Sequence, residues 1–369
     1  MKERAKPGRP DFVLCIPVVI LLGFGMVMVF SASGVQSREL YNDDGVIFMK
    51  QMVALAVGLV GLLVTLFFPH RIYAKKPVML LAIAAVLFLL IGVIFQAEAK
   101  GAHRWYYLGR FGFQPSDLAK VVLIVYIAAV STAFGSNANP GVWRRRLILI
   151  LPVVAAFCGL ILAQPDFGTT MILLFITSVM LFLAGIPKRT LILGAVLLLP
   201  IMAGLLVSKS YRLKRLTDFM FSEHYQNRQA KLAVGSGGMT GLGLGQGKQK
   251  LYYLPEPHTD FIFATLCEEL GLLGALTVLG CYLFFLFRGV LVLRRVPTPY
   301  SQILGSGLLL LLSVQALINI SITLNLFPNK GLTLPFMSAG GTSLIISLCM
   351  FGILMNISRE QVVGNRVAQ

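Results

Sequence analysis

Residues 77–95 read PVMLLAIAAVLFLLIGVIF, nineteen side chains without a charge, an amide or a hydroxyl among them. A helix of that length rises about 28 Å at 1.5 Å per residue, close to the roughly 30 Å hydrocarbon core of a bilayer. Lys75 and Lys76 precede the run, and Gln96, Glu98 and Lys100 follow it. Such a run reads as a membrane span. Working outward, comparable runs recur along the whole chain: Asp11 to Gly34, Val46 to Phe68, Pro115 to Phe134, Leu147 to Ala163, Phe167 to Ile186, Thr190 to Val207, Asp260 to Phe287, Gln302 to Leu326 and Pro335 to Ile357.

The composition agrees. Of 369 residues 57% are hydrophobic and 13% charged, with mean hydropathy +0.81, whereas soluble domains are about 45–50% apolar and about 25% charged. The expected fold class is all-α: one polytopic membrane domain, residues 1–369, with ten transmembrane helices. One long extracytoplasmic loop, residues 208–259, separates the seventh and eighth helices.

A net charge of +17 does not point to nucleic acid, because the basic residues sit in short connectors between spans rather than on one face of a soluble module. Cys15, Cys158, Cys267, Cys281 and Cys349 all lie inside apolar segments without metal-ligand spacing, so they read as buried small hydrophobes. The first span follows Lys2, Arg4, Lys6 and Arg9 and ends in Ser31-Ala32-Ser33, a faint likeness to a signal-peptidase site. Its apolar stretch exceeds the roughly 7–15 residues of a signal core, so it is expected to remain as a helix.

Basic residues set the orientation. With the amino terminus in the cytoplasm, the inner connectors carry Arg71, Lys75, Lys76; Arg144, Arg145, Arg146; Lys188, Arg189; and Arg288, Arg294, Arg295. Both termini are then cytoplasmic. The 208–259 loop is basic yet outward, which long loops tolerate. It is either a solvated or lipid-headgroup-facing segment or a platform for an anionic substrate.

Ionisable groups at or inside membrane spans are costly, so they are functional candidates. Four motifs hold them in the outer half. In Gln114-Pro115-Ser116-Asp117-Leu118-Ala119-Lys120 the acid and the lysine are three residues apart on one helix face; they form either a helix-start ion pair or a polar cavity wall. In Gln164-Pro165-Asp166-Phe167-Gly168, Asp166 either caps the sixth helix or points into the same cavity. In the stretch from Leu254 to Ala264, Asp260 stands where aqueous loop becomes apolar helix. It is either an N-cap or a partly desolvated base, whose pKa burial raises unless nearby cations offset it. Glu268 and Glu269, two turns on, need partners that a water-filled cavity would supply. In Pro328-Asn329-Lys330-Gly331, Lys330 is the only charge between the last two spans, and the following Ser338-Ala339-Gly340-Gly341 run permits close helix approach. Residues 235–247, GSGGMTGLGLGQG, lack the spacing of a phosphate-binding loop; they read as a tightly turning or flexible segment, and no nucleotide is expected.

YLPEPHTDFIFATLCEELGLLG (253–274), FQPSDLAK (113–120), QPDFG (164–168), GSGGMTGLGLGQGKQK (235–250), NKGLTLPFMSAGGTSL (329–344) and VFSASG (29–34) together resemble the SEDS family, the shape, elongation, division and sporulation proteins. The matches span nearly the whole chain in order. KGLTLPF is closer to the division and sporulation branch than to the elongation branch, which usually lacks that lysine. The resemblance implies a ten-span peptidoglycan glycosyltransferase that polymerises lipid II on the outer face of the bacterial cytoplasmic membrane. Its implied partners are a class B penicillin-binding transpeptidase and other divisome proteins, with no nucleic acid. The family's essential aspartate falls on Asp260, its cavity acid and lysine on Asp117 and Lys120, and a further acid on Asp166. Two positions depart from the family pattern, which usually has Glu at Asp117 and Tyr at Ala339. The shorter acid could loosen the Lys120 pairing.

In the implied reaction an acceptor 4-hydroxyl attacks a donor anomeric carbon and displaces a polyprenyl diphosphate. That leaving group needs no proton, so one carboxylate base and surrounding cations suffice. Asp260 is the candidate base. Arg212, Arg215, Lys248, Lys250 and Lys330 are candidate charge stabilisers, and Arg104 and His258 are counted as further substrate contacts. A divalent cation, Mg2+ or Mn2+, could share that role. The lipid tail calls for a groove whose helices the sequence does not locate. A lipid II flippase or ion-coupled carrier and a non-catalytic division scaffold are the rival readings.

Overall fold

Hydrocarbon offers the backbone no hydrogen-bond partner, so each apolar run folds as a helix that satisfies its own N–H and C=O groups. The structure, a computed structural model, describes residues 8–96, 104–108, 111–134, 140–207, 217, 225–251 and 253–360. Its helices are α1 (Cys15–Tyr41), α2 (Val46–Phe67), α3 (Lys76–Gly92), α4 (Pro115–Thr132), α5 (Pro140–Ala163), α6 (Phe167–Leu183), α7 (Lys188–Val207), α8 (Tyr225–Ser236), α9 (Ile262–Arg294), α10 (Pro299–Thr323) and α11 (Gly341–Ser358). A short antiparallel hairpin, β1 (Tyr106–Leu108) and β2 (Phe111–Phe113), precedes α4, with Tyr106 opposite Phe113.

Among the described residues eight helices are long and apolar enough to cross a membrane: α1 to α5 and α9 to α11. The chain is therefore a multi-pass membrane protein. Apolar α6 has 17 residues and α7 has 20. Helix ends follow local chemistry. Prolines occupy the first turn of α3, α4 and α10, where the missing N–H is no loss. Asn42, at φ 57°, stops α1 in a left-handed conformation. The five cysteines are all unpaired.

Buried α4 forms the centre, packed by α3, α5, α6, α10 and α11. Helices α2 and α11 lie closest together because small residues line their seam. A Cβ on Gly352 would come within 2.5 Å of the Leu62 carbonyl, and one on Gly58 within 2.5 Å of Leu348. Thr65 Oγ1 donates across the seam to the Cys349 carbonyl at 3.1 Å.

One end gathers the basic connectors and both tails. The Gly8 N–H donates to the Arg359 carbonyl at 2.9 Å. Asp11 pairs with Arg288 at 2.7 Å, and Arg71 with Glu360 at 2.8 Å.

The apolar run after Asp260 is not the uninterrupted span its sequence suggests. Gly271, at φ 63° and ψ −161°, breaks α9 into a buried nine-residue turn of helix, 262–270, and a long arm beyond it. The break frees backbone groups that must be paired inside the protein. The glycine-rich loop does this. Leu272 and Leu273 N–H donate to the carbonyls of Gly238 and Met239 at 2.9 and 3.2 Å, while the Glu268 and Glu269 carbonyls accept from Leu242 and Gly243 at 3.0 Å each. Such backbone-to-backbone approach leaves no room for side chains: a Cβ on Gly237 would sit 1.9 Å from the Cys267 carbonyl oxygen, and one on Gly241 2.1 Å from that of Glu269. Gly241 is also left-handed, at φ 84°.

Gly241→Ala is expected to lower stability by about 3 kcal/mol, from strain and the forced separation of loop and helix break. Gly280→Ala, whose added Cβ meets nothing within 4 Å, should stay within about 0.5 kcal/mol. Thermal unfolding of both purified variants checks this, and equal melting temperatures would show that the loop is not docked.

Candidate active site

Asp260 does not cap α9. The capping residue is Phe261, which lacks a side-chain cap, and Asp260 stands just outside in a turn built on Glu256, which adopts φ 54°. Thr259 N–H donates to the Glu256 carbonyl at 3.2 Å, and the Thr259 hydroxyl to the Glu256 carboxylate at 3.1 Å. The connector between α10 and α11 buttresses the turn. Ala339 N–H donates to the His258 carbonyl at 2.8 Å, the Ser338 hydroxyl to the Thr259 carbonyl at 2.6 Å, and Asn319 Nδ2 to the Asp260 carbonyl at 2.9 Å. The half-buried Asp260 carboxylate lies over Gly331, where a Cβ would come 2.9 Å from its Oδ2.

Lys330, the neighbour of Gly331, reaches the other way across Gly168. A Cβ there would sit 2.1 Å from the lysine Cδ, so only glycine lets the stem pass. Its ammonium donates to Thr169 Oγ1 at 3.1 Å and stands 3.6 Å from Asp166. Asp166 both caps α6 and faces the lysine. One oxygen accepts from Thr169 N–H at 3.0 Å and the other from the Thr169 hydroxyl at 2.7 Å. Arg104 donates to the carbonyls of Gln164 and Pro165 in the same connector. On α4, Asp117 and Lys120 are buried and paired at 2.7 Å, so the short acid does not loosen the contact.

These charges act on one another. Burial pushes the Asp166 carboxyl up, but Lys330, Arg104 and the Thr169 hydrogen bonds outweigh it and hold it at about 2. For Lys330, burial and the repulsion of Lys120 and Arg104 pull the ammonium down to about 8, against the attraction of Asp166. The region is thus poised with cations that their paired acids only partly neutralise, an arrangement suited to receiving a phosphate.

The other sequence candidates divide. Buried Lys250 turns to Glu269 at 2.6 Å and to Ser31 at 2.7 Å. Lys248 leaves its side chain exposed while its N–H donates to Glu268 at 2.8 Å. Glu268 also accepts from Gln249 N–H at 3.1 Å, and Glu269 from Gly245 N–H at 3.0 Å. The two glutamates therefore find their partners in the loop and Lys250, where the sequence suggests a water-filled cavity, because the loop folds directly onto them. Arg212 and Arg215 lie outside the described residues. Asp117 and Asp166 each face a lysine, and among the described residues no three His, Cys, Asp or Glu side chains converge. Sequence reasoning passed over Ser31, Gln51, Thr169 and Asn319, which carry no charge. It also passed over Lys50, which the rule of costly charges at span ends would have found.

A family model described as cell cycle protein, for FtsW, RodA and SpoVE, matches residues 12–362. The chain belongs to that family. It is 38% identical over 359 residues to a protein of Trichlorobacter lovleyi named probable peptidoglycan glycosyltransferase FtsW, covering 94% of this chain and 93% of that one. With stage V sporulation protein E of Bacillus subtilis it shares 33% over 363 residues, 96% and 98% of the two chains. Among solved structures it resembles a chain described under structural coordination of polymerization and crosslinking by a peptidoglycan synthase complex, with TM-score 0.78, 28% identity and coverage of 96% and 99%. RodA of Thermus thermophilus follows at TM-score 0.70 and 28% identity, with coverage of 96% and 98%. Members of the FtsW, RodA and SpoVE family thus share both this sequence pattern and this fold.

Asp166→Asn removes the counter-charge of a buried lysine and should lower stability by about 3 kcal/mol, whereas Thr169→Ala should lower it by about 1 kcal/mol. Melting of the two variants separates the terms, and equal losses would place the energy in the helix cap rather than the ion pair.

Proposed function

We propose that the chain polymerises lipid II into β-1,4-linked glycan for septal or spore-cortex wall synthesis, with Asp260 as base. The observation that carries this reading is the placement of a half-buried carboxylate over Gly331, one residue from a lysine in a cation-rich, partly neutralised cluster. The acceptor 4-hydroxyl oxygen forms a bond to the donor anomeric carbon as its proton passes to Asp260. The bond from that carbon to the diphosphate oxygen breaks, and the electron pair leaves with the diphosphate. Lys330, Lys120 and Arg104 face the charge that develops there, the situation in which fixed cations accelerate most. Asp117 and Asp166 position Lys120 and Lys330. His258 borders the approach to the base, and the exposed Lys248 side chain adds positive charge to the loop surface. Lys250, by its contacts, fastens the loop.

The finer topology is a proposal of the same kind. Adding α6 and α7 to the eight long helices gives ten spans in one domain, with 208–259 as the long outer loop between the seventh and eighth. The gathering of both tails with Arg71 and Arg288 at one end supports two cytoplasmic termini. Helix α9 runs from the site to that basic end, which supports an outer-face position for Asp260. The likeness to a chain of a peptidoglycan synthase complex supports a class B penicillin-binding transpeptidase as partner.

A broken helix also suits a lipid II carrier, and one assay separates the two. Purified protein with its transpeptidase partner is given labelled lipid II already exposed on the outer face. The wild type should make glycan, and Asp260→Asn should lose activity by about a thousandfold with its melting temperature kept. Substrate translocation without polymer would sink the enzyme reading.

Because the charged form of Lys330 dominates below about 8 and is lost as pH rises through it, polymerisation should decline on the alkaline side near that value. Lys330→Arg, which stays charged, should carry the decline to higher pH. A rate profile up to about pH 10 checks the shift.

A further inference from the structure

A cleft of about 720 Å³ opens beside the Asp260 turn. Its walls are the last turn of α1, the first half of α2 and the start of α11, with Glu256 and His258 at its inner end. The floor is apolar, formed by Val53, Ala54, Val57 and Ile345. Val53 and Val57 remain about half exposed, so the cleft runs out onto the lipid-facing side of α2. It is therefore open to a hydrocarbon chain at one side, and Glu256 and His258 of the Asp260 turn also line it.

Lys50 supplies its charge. The ammonium is held by the Tyr41 hydroxyl at 2.8 Å and lies 4.2 Å from that ring's centre. Among the described residues no carboxylate comes within 4.0 Å of it, whereas Lys120, Lys250 and Lys330 each have one. A half-buried ammonium paired only with a neutral phenol keeps its charge for a ligand. The next residue, Gln51, ties this part of α2 to the base: its Nε2 donates to the Ser338 carbonyl at 3.0 Å, and Ser338 in turn donates to Thr259.

We propose that this cleft seats the acceptor's polyprenyl diphosphate, the tail on Val53, Val57 and Ile345 and the diphosphate at Lys50, with the sugar passing His258 toward Asp260. The proposal rests on the glycosyl-transfer reading. Charge decides between acceptor and donor. When the anomeric bond breaks, the donor's diphosphate gains a negative charge, while the acceptor's is unchanged. The gain calls for several cations, which Lys330, Lys120 and Arg104 provide on the other side of the Asp260 turn; the unchanged group needs only anchorage, which one lysine gives. Glu256, an acid in the same cleft, stands at the sugar end.

The test uses the full chain with its transpeptidase partner in proteoliposomes. Lys50→Met should raise the half-saturating concentration of lipid II about tenfold while the saturated rate stays within about twofold, the mark of lost ground-state binding. Lys50→Arg should keep half-saturation within about threefold. A benzoylphenylalanine at position 57 should crosslink labelled lipid II, and polyprenyl diphosphate, but not polyprenol, should compete. Asp260→Asn should crosslink equally well, so occupancy is read apart from turnover. Unchanged titrations of Lys50→Met, or a lost crosslink in the well-folded reporter, would overturn the proposal. A fall in saturated rate with half-saturation unchanged would overturn it too, by placing Lys50 at the leaving group. Competed crosslinking without polymer from the wild type would sink glycosyl transfer but support a diphosphate seat in the cleft.

Discussion

A helix broken inside a membrane must have its loosened backbone paired by protein, since lipid cannot do it, and much of the Asp260 end of this molecule is arranged around that requirement. The break at Gly271 is paired by a loop whose glycines let main chain meet main chain. The loop is secured by Glu268 and Glu269, and Glu269 is neutralised by Lys250 and Ser31. Two acids that would be prohibitively placed in hydrocarbon become fasteners. The short helix before the break, and Asp260 ahead of it, inherit a fixed position.

The chemistry draws on a second economy of charge. Asp117 holds Lys120, and Asp166 holds Lys330, so cations are kept in a low-dielectric place without being consumed. Burial and mutual repulsion bring Lys330 to the edge of losing its proton, which makes an arriving anion welcome. The Asp260 carboxylate stands across Gly331 from this cluster rather than within it.

Much of this could be read from residue order. Apolar runs gave the helices, and the spacing of Asp117 and Lys120 gave their pairing, because both depend on local periodicity. Asp166 fulfils the cap reading, and its pairing with Lys330 is a tertiary contact that residue order does not show. The break at Gly271 leaves no mark in the sequence, because LCEELGLLGALT (266–277) reads as continuous helix; only the loop packed against it makes the break tolerable, and that contact is tertiary. The Lys250–Glu269 pairing is not legible either, since charge alone does not reveal a buried partner. Gln51 and Asn319, which brace the turns around Asp260, are neutral and leave no trace in a search for ionisable groups.

The fastening of loop to broken helix has a bearing on biogenesis. Lys250 and Glu269 are nineteen positions apart, and Gly245 and Glu269 twenty-four, so closing these contacts restricts little chain entropy. Ser31 is made earlier still. During synthesis from the amino end, every part of this clasp is made before α10 or α11, so the two glutamates can enter the bilayer already escorted. Lys330 and Gly331 arrive afterwards, and the connector that carries them then closes onto the Asp260 turn through Ser338 and Ala339.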